Sequence, residues 1–136
     1  MNSLQGKYKP GVSEFVLQKS VVPLKDLRMK SLYLNMIRDG IKPLECRANH
    51  AHVLSIKAGE KIKLFNQSCD HSLIVRIADL RRYSTISRML ELEDYNLLIP
   101  GFQTQNQVLR EYRKFYSDEK IKRIGGVTVF EIEVIK

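Results

Sequence analysis

Three ionisable side chains lie within six residues of one another in the stretch Gly40-Ile41-Lys42-Pro43-Leu44-Glu45-Cys46-Arg47. A lysine ammonium and an arginine guanidinium both donate hydrogen bonds to a phosphate or to a base carbonyl. The carboxylate between them can accept from an exocyclic amine, or it can orient a water molecule as a general base. Lys42, Glu45 and Arg47 are therefore candidate ligand-binding residues, and Lys42 and Glu45 are the candidate catalytic residues if the protein is an enzyme.

A β-strand is expected to position two of these side chains. Pro43 cannot donate to a strand ladder, so the strand lies at a sheet edge or begins just after the proline. From residue 44 onward, the period of two turns Glu45 and Arg47 to the same face, and Lys42 can lean over them. The alternative interpretation is an exposed ion pair between Glu45 and Arg47, which contributes little to stability and has no function.

A helix is predicted to precede this strand in the chain. Asp26 can cap a helix over Leu27–Asp39, where apolar residues recur at helical spacing. The predicted buried stripe consists of Met29, Leu32, Tyr33, Met36 and Ile37. Gly40 then takes the left-handed position after the helix and lets the chain reverse. We therefore expect Gly40→Val to destabilise the fold, and Lys42→Ala to leave the fold intact while impairing ligand binding.

The composition describes one folded domain. A chain of 136 residues, with 43% hydrophobic and 28% charged residues, is long enough for one core and too short for two. No apolar run approaches a membrane span, and the first residues contain no apolar signal core. These features predict an intracellular protein, cytoplasmic or nuclear, with Cys46 and Cys69 as free thiols.

The positive charge suggests a polyanionic partner. The formal net charge is +8, and residues 1–47 carry nine Lys and Arg against four Asp and Glu, whereas residues 48–100 carry seven against six. Positive potential is thus expected around the Lys42 stretch. The alternative is that the basic composition only aids solubility.

The rest of the chain predicts a small barrel. Lys61–Phe65 and His71–Leu80 alternate apolar and polar residues and flank a polar loop, so they read as a meander that starts a barrel. A final strand is predicted over Val127–Ile135, with a β-bulge near Val129 or Phe130 because its inward phase changes. The fold class is therefore α+β, a small, partly open barrel with flanking helices.

Two further helices are predicted between these strands. The first is capped by Ser84 and buries Ile86, Met89 and Leu90. The second starts at a capping box over residues 104–107. Its apolar face, read as core, consists of Val108, Leu109, Tyr112, Phe115 and Tyr116.

Basic residues near these helices are further binding candidates. Arg81 and Arg82 can hold phosphate while a base stacks on Tyr83. Equally, they can be solvated charges beside a core tyrosine. Arg113 lies on the basic face of the second helix, which binds phosphate or is merely solvated.

Histidines and cysteines near the motif do not predict a metal site. The spacing of Cys46, His50, His52, Cys69 and His71 fits no standard structural-zinc pattern, so we expect polar loop histidines. We predict no metal and no cofactor. Before the helix, residues 1–13 read as a flexible basic tail and Glu14–Val22 as a β-prone run that can add an edge strand.

The motif also carries a family resemblance. GIKPLECR matches the signature GxKxxExR, and the chain resembles the ASCH family, small domains named for homology to a transcriptional coactivator. The resemblance runs from about Leu27 to Val134, so residues 14–136 are expected to form one ASCH-like domain. Further matches in the family's order are Tyr83-Ser84, Met89-Leu90, Pro100-Gly101, Tyr112, Phe115 and Tyr116.

The resemblance implies a PUA-like barrel related to RNA-modification modules, with Lys42, Glu45 and Arg47 lining a cleft between barrel and helices. The implied function is recognition of RNA, single-stranded or at a modified nucleotide, in RNA processing or regulation, with no membrane partner. One branch of the family hydrolyses acetylcytidine, but it carries a threonine nucleophile where Glu45 stands here, and its downstream glutamate does not align securely with Glu91 or Glu93. A ribonuclease, or an adaptor that binds a protein or a small ligand, is a further alternative.

Overall fold

The structure is a computed structural model that describes residues 23–136. The predicted tail over residues 1–13 and the β-prone run Glu14–Val22 lie outside the described residues. The strands are β1 (Asp26–Met29), β2 (Leu44–Ala48), β3 (Lys61–Asn66), β4 (Ser72–Tyr83) and β5 (Val127–Val134). The helices are α1 (Ser31–Arg38), α2 (Ala51–Ser55), α3 (Ile86–Leu92), α4 (Tyr95–Leu98), α5 (Gln105–Arg113) and α6 (Asp118–Ile124).

The five strands form one curled sheet in the order β1-β3-β4-β5-β2. β1 pairs with β3 in parallel, and the other three pairs are antiparallel. The two edge strands approach each other, since Arg47 Nη2 on β2 donates to the Arg28 carbonyl on β1 at 2.6 Å. The sheet is therefore a half-barrel with a gap between its edges, which agrees with the predicted α+β class and with the edge position expected after Pro43.

Helices cover both sides of this sheet and form two cores. α1 contributes the buried Leu34 and Ile37 to the core that contains β1, β3 and part of β4. Helices α3 to α6 pack on the apolar side chains of β2 and β5 to form the other core. No helix in residues 23–136 is long and apolar enough to cross a bilayer.

The change of inward phase in the last strand has a different cause from the predicted bulge. Val127 and Val129 belong to one core, and Phe130 belongs to the other. β5 thus lies between two cores, and both of its faces are buried at its start. Consecutive residues of β5 can therefore be buried without a β-bulge in this strand. The predicted bulge at Val129 or Phe130 is wrong.

The irregularity lies on the neighbouring strand instead. The register between β4 and β5 shifts between Ile77 and Asp79, because those two residues pair with the adjacent Ile132 and Glu131. One extra residue on β4 increases the local twist, which suits a strand of twelve residues that must follow a curled sheet.

The first helix is shorter than predicted, because the first residues of the predicted helix form strand β1. Leu27 and Met29 are buried on β1, where they alternate with exposed neighbours and pair with β3. This long-range pairing outweighed the local helical spacing. α1 begins at Ser31, and its buried face contains Leu34, whereas the predicted Leu32 is 58% exposed. Asp26 is therefore not the helix cap.

Several local signals were interpreted correctly. Gly40 is left-handed, with φ +78°, directly after α1. The capping box of α5 forms as predicted, with Thr104 and Gln107 bonding reciprocally.

Other local predictions were wrong. The cap of α3 is Thr85 and not Ser84, since the Thr85 side chain accepts a hydrogen bond from the Arg88 amide. His52, expected to be a loop histidine, lies in α2, and His50 is the N-cap residue of that helix.

Candidate functional site

A cleft of about 240 Å³ opens in the gap between the two sheet edges. It extends from β1 and the start of α1, across β2, to the end of α5, and we call it the edge cleft. Cationic, anionic and aromatic side chains line it together. Its charged lining residues are Arg28, Lys30, Lys42, Glu45 and Arg47, and its aromatic ones are Tyr33, Tyr112, Phe115 and Tyr116.

Lys42 lies in the floor of the edge cleft and is 2% exposed. Its ammonium donates to the Leu44 carbonyl at 2.6 Å and to the Leu98 carbonyl at 2.5 Å, and it lies 2.9 Å from Glu45 Oε1. An ammonium has three N–H donors, so these partners use all of them. Lys42 is therefore a structural anchor between β2 and α4. Its burial predicts that Lys42→Ala destabilises the fold, contrary to the expectation from the sequence.

Glu45 is the centre of a buried ion triad. It is 8% exposed, and its second oxygen accepts from Arg47 Nε at 2.6 Å. Burial alone would raise the pKa of this carboxyl, but the charges and hydrogen bonds of Lys42 and Arg47 outweigh burial and lower the pKa to about 2. Glu45 is thus ionised at neutral pH and is a weak base there.

Arg47 remains the most available member of the triad. Burial acts to lower its pKa, but the Glu45 carboxylate reverses this, so the pKa is raised and the guanidinium stays charged. Its hydrogen bonds within residues 23–136 go to Glu45 and to the Arg28 carbonyl, which use two of five N–H donors. Arg47 can therefore hold the sheet edges together and still donate to a ligand.

The structure brings Lys42, Glu45 and Arg47 together, as the motif predicted. They do not form the exposed ion pair of the alternative interpretation, because β1, α1 and α4 cover them. The nine Lys and Arg of residues 1–47 include all four cations that line the edge cleft. Four cations and one carboxylate thus line the cleft around this stretch.

Aromatic side chains supply the opposite wall of the edge cleft. Tyr33 lies on α1, with the Lys42 ammonium 5.5 Å from its ring centre. Tyr112 lies on α5 and is buried, as the core interpretation predicted. Phe115 follows the end of α5 and is 48% exposed, so for this ring the core interpretation is wrong. The helical period no longer applies there, because α5 ends at Arg113.

Two cations at the rim of the edge cleft were not predicted as site residues. The Lys30 ammonium lies 4.8 Å from the Phe115 ring centre, and the Arg28 guanidinium lies 5.6 Å from the Phe65 ring centre. Such contacts hold a cation beside a flat apolar surface. No local pattern in the sequence indicated them, because β1 was interpreted as helix and its approach to β2 depends on tertiary contacts.

Arg81 and Tyr83 lie away from the edge cleft. Arg81 forms a two-point ion pair with Glu93, at 2.5 and 2.9 Å, and lies 2.6 Å from Glu131. The Tyr83 hydroxyl also donates to Glu93. Hydrogen bonding to Glu93 is the main cause that raises the pKa of Arg81. These residues form a separate intramolecular network, which borders a second cleft of about 380 Å³.

The register of the sheet also places the side chains of Arg81 and Glu45 on different faces. Arg81 and Cys46 both pair with Val129, and residues that pair directly across strands point to the same face. Glu45 and Arg47 alternate with Cys46, so they point to the other face. Glu93, a candidate for the downstream glutamate of the hydrolase branch, therefore lies on the face opposite to Glu45.

Arg82 and Arg113 are also outside the lining of the edge cleft. Arg82 shares a face with Arg47, but its Nε donates to Thr128 Oγ1 at 3.2 Å on the intervening β5. Arg113 pairs with Asp118 at 3.0 Å at the exposed start of α6. The structure thus brings together three of the seven predicted ligand-binding residues and separates the other four.

Histidine and cysteine side chains form no metal-binding group in the described part of the chain. Within it, no three His, Cys, Asp or Glu side chains lie together in a way that could hold a metal ion. Cys46 and Cys69 are both free, as predicted. Burial raises the pKa of the Cys46 thiol, which lines the edge cleft, so the thiol stays protonated.

Comparisons with known proteins identify the fold. The chain matches no protein-family model and no curated protein. Among solved structures, it is similar to the hypothetical protein PH0355, with 29% identity and a TM-score of 0.70 over 81% of this chain and 97% of that one. It is also similar to protein PF0455 from Pyrococcus furiosus, with 28% identity and a TM-score of 0.64 over 82% and 96%.

A third solved structure, protein EF3133 from Enterococcus faecalis V583 of family DUF984, is 13% identical. Its TM-score is 0.60 over 90% of this chain and 83% of that one. None of these names states an activity or a ligand. The likenesses support the small barrel-like α+β fold.

Proposed function

We propose that this chain is an ASCH-type domain of the PUA-like class that binds single-stranded RNA, with one nucleotide seated in the edge cleft. The observation that carries the proposal is the combination of cations with flat aromatic rings in one small cleft. Proteins recognise unpaired nucleotides by stacking bases on aromatic rings and by contacting phosphates with basic side chains. The motif resemblance supports the same conclusion.

The size of the cleft favours an unpaired nucleotide. About 240 Å³ is less than the roughly 300–1,000 Å³ of pockets that enclose drug-sized ligands. One base can enter such a space, but a base pair within a duplex cannot unstack to do so without an energetic cost. We therefore expect preference for single-stranded over duplex RNA.

Different residues of the edge cleft contact the phosphate and the base of the proposed nucleotide. Lys30 and Arg28 lie where a phosphate beside the seated base would run, and Arg47 can donate to a phosphate or a base carbonyl. Phe115 presents an exposed ring on which a base can stack, a contact worth about 1–3 kcal/mol. Lys42 acts indirectly, because it fixes Glu45 and β2.

Hydrolysis is less well supported than binding. A general base works best when its pKa lies near the operating pH. The pKa of Glu45 is lowered to about 2 by its two cationic partners, after burial has acted in the opposite direction. Glu45 is better suited to accept a hydrogen bond from an exocyclic amine than to take a proton from water.

The test is a binding titration of labelled single-stranded and duplex RNA at about 50 and 200 mM salt. The informative variant is Arg28→Ala with Lys30→Ala. Its matched control is Lys122→Ala with Arg123→Ala on the exposed last turn of α6, outside the edge cleft, which lowers the net charge by the same amount. We expect the cleft variant to lose at least tenfold in affinity for single-stranded RNA at the higher salt, and the control to lose little.

Equal weakening by both variants, with binding abolished by salt, would contradict the proposal. The +8 charge would then attract RNA only non-specifically.

A further inference from the structure

One buried hydroxyl in the edge cleft has no partner. Within residues 23–136, Tyr112 Oη is the single buried side-chain oxygen or nitrogen without a hydrogen bond. The tyrosine is 7% exposed and packs in the core beneath the cleft. By contrast, the buried Lys42 ammonium and both carboxylate oxygens of Glu45 have partners.

The hydroxyl belongs to the wall of the edge cleft and not to the remote side of the core. Burial is the main cause that raises its pKa, and the charged or ionisable groups that also act on it are Cys46, Glu45, Tyr33 and Tyr116. All four of these residues line the cleft, as Tyr112 does. The phenol therefore stays protonated and presents a donor there.

An unpaired hydroxyl at a core position destabilises the fold. Leaving a buried donor without a partner costs about 1–3 kcal/mol, and phenylalanine would fill the same space without that cost. Most buried polar groups in native proteins are hydrogen-bonded, so this exception at a cleft leaves a donor that a bound ligand can satisfy.

Resting on the nucleotide-binding function proposed above, we propose that Tyr112 determines specificity by donating its hydroxyl proton in a hydrogen bond to a carbonyl oxygen or ring nitrogen of the seated base. The ligand class is a polar heteroaromatic ring attached to a phosphate-bearing backbone. An apolar ring, or a backbone without a base, would leave the hydroxyl unpaired.

Side-chain movement must accompany this contact. Neighbouring side chains cover the hydroxyl, so a base reaches it only when one of them is displaced. Phe115 is the most exposed of the aromatic lining residues and lies beyond the end of α5, so it is the side chain best placed to move. Its ring would then stack on the base that displaced it.

The test compares Tyr112→Phe with the wild type. The probes are single-stranded tetranucleotides of U, C, A or G, together with an abasic tetranucleotide that retains the phosphates. The matched control is Tyr95→Phe, which removes a hydroxyl that donates to the Gln103 carbonyl at 2.9 Å, outside the edge cleft. Thermal unfolding of all three proteins reports any structural role.

We expect Tyr112→Phe to weaken binding of at least one tetranucleotide about three- to tenfold, the net contribution of one neutral hydrogen bond. Binding of the abasic probe should not change, and the Tm should stay equal or rise. Tyr95→Phe should bind every probe as the wild type does.

Three results would overturn the inference. If Tyr112→Phe binds all four tetranucleotides as tightly as the wild type, the hydroxyl does not read the base. If it weakens the abasic probe equally and lowers the Tm, the role is structural. If the wild type binds no tetranucleotide, the proposed function itself fails, and the inference fails with it.

Discussion

Replacing Lys42 with methionine should destabilise the protein strongly. Methionine keeps most of the length and volume of the side chain but lacks the ammonium, so the change isolates the charge and its hydrogen bonds. The carbonyls of Leu44 and Leu98 would lose their donor, and Glu45 would keep only Arg47 as a cationic partner.

The size of this effect follows from the burial of the triad. Removing one partner of a buried ion pair costs roughly 3–5 kcal/mol, because the remaining charge is left uncompensated. Arg47 still compensates Glu45 in part, so we expect a loss near the lower end, about 3 kcal/mol. For a domain of this size, that corresponds to a fall in Tm of roughly 10 °C.

Chemical denaturation at neutral pH measures this loss directly. Lys57→Met is the control, because Lys57 is exposed and an exposed substitution should change stability by less than about 0.5 kcal/mol. Combining Lys42→Met with Glu45→Gln should cost roughly 1–3 kcal/mol less than the sum of the two single changes, since the residues interact directly.

At acidic pH, the difference in the free energy of unfolding between Lys42→Met and the wild type should become smaller. The variant loses much of the interaction that keeps Glu45 ionised, so its carboxyl protonates at a higher pH and relieves the unpaired charge. If Lys42→Met matches Lys57→Met at neutral pH, the buried anchor does not exist, and Lys42 again becomes a candidate for direct ligand contact.

Three other changes test separate parts of the structure. Glu45 has a folded pKa of about 2, below its ordinary value of 4.5. Its ionisation therefore contributes roughly 3 kcal/mol to the free energy of unfolding above pH 4.5, and this contribution is lost as the pH falls towards 2. Glu45→Gln should flatten this part of a curve of stability against pH. Gly40→Val should cost about 1–2 kcal/mol in chemical denaturation, from backbone strain alone, because φ is +78° and no atom lies within 4 Å of the added Cβ. Gly126→Ala should cost more than Gly40→Ala, since its Cβ would lie 2.1 Å from the Tyr83 carbonyl oxygen; equal losses would mean that the backbone there relaxes freely.

The sequence was sufficient for features that depend on neighbours in the chain. Strand alternation placed Glu45 beside Arg47, and the glycine after α1 marked the reversal that brings Lys42 to them. α6 shows that local signals can also be overlooked. Ser117 caps it, acidic residues occupy its first turn, basic residues occupy its last turn, and Gly125 ends it, yet no helix was predicted there.

Features that depend on distant contacts were not accessible in this way. The burial of Lys42 requires a carbonyl 56 residues later, and the start of the predicted first helix became β1 because β3 offered parallel pairing. The edge cleft exists because the sheet curls until β1 meets β2. No pattern within either strand indicates that meeting.

The same distinction decides which cations can recognise a ligand. In the sequence, Lys42, Arg81 and Arg47 are equivalent positive charges beside candidate elements. In the structure, the ammonium of Lys42 has no N–H left to donate, and Arg81 is held by three carboxylates, those of Asp79, Glu93 and Glu131. Arg47 commits only two of five donors to partners in the described chain, and it does so inside the cleft. The charge of a basic residue counts towards binding only when its donors are not already satisfied, so recognition should depend on Arg47 and the rim cations, whereas Lys42 and Arg81 should contribute mainly to stability.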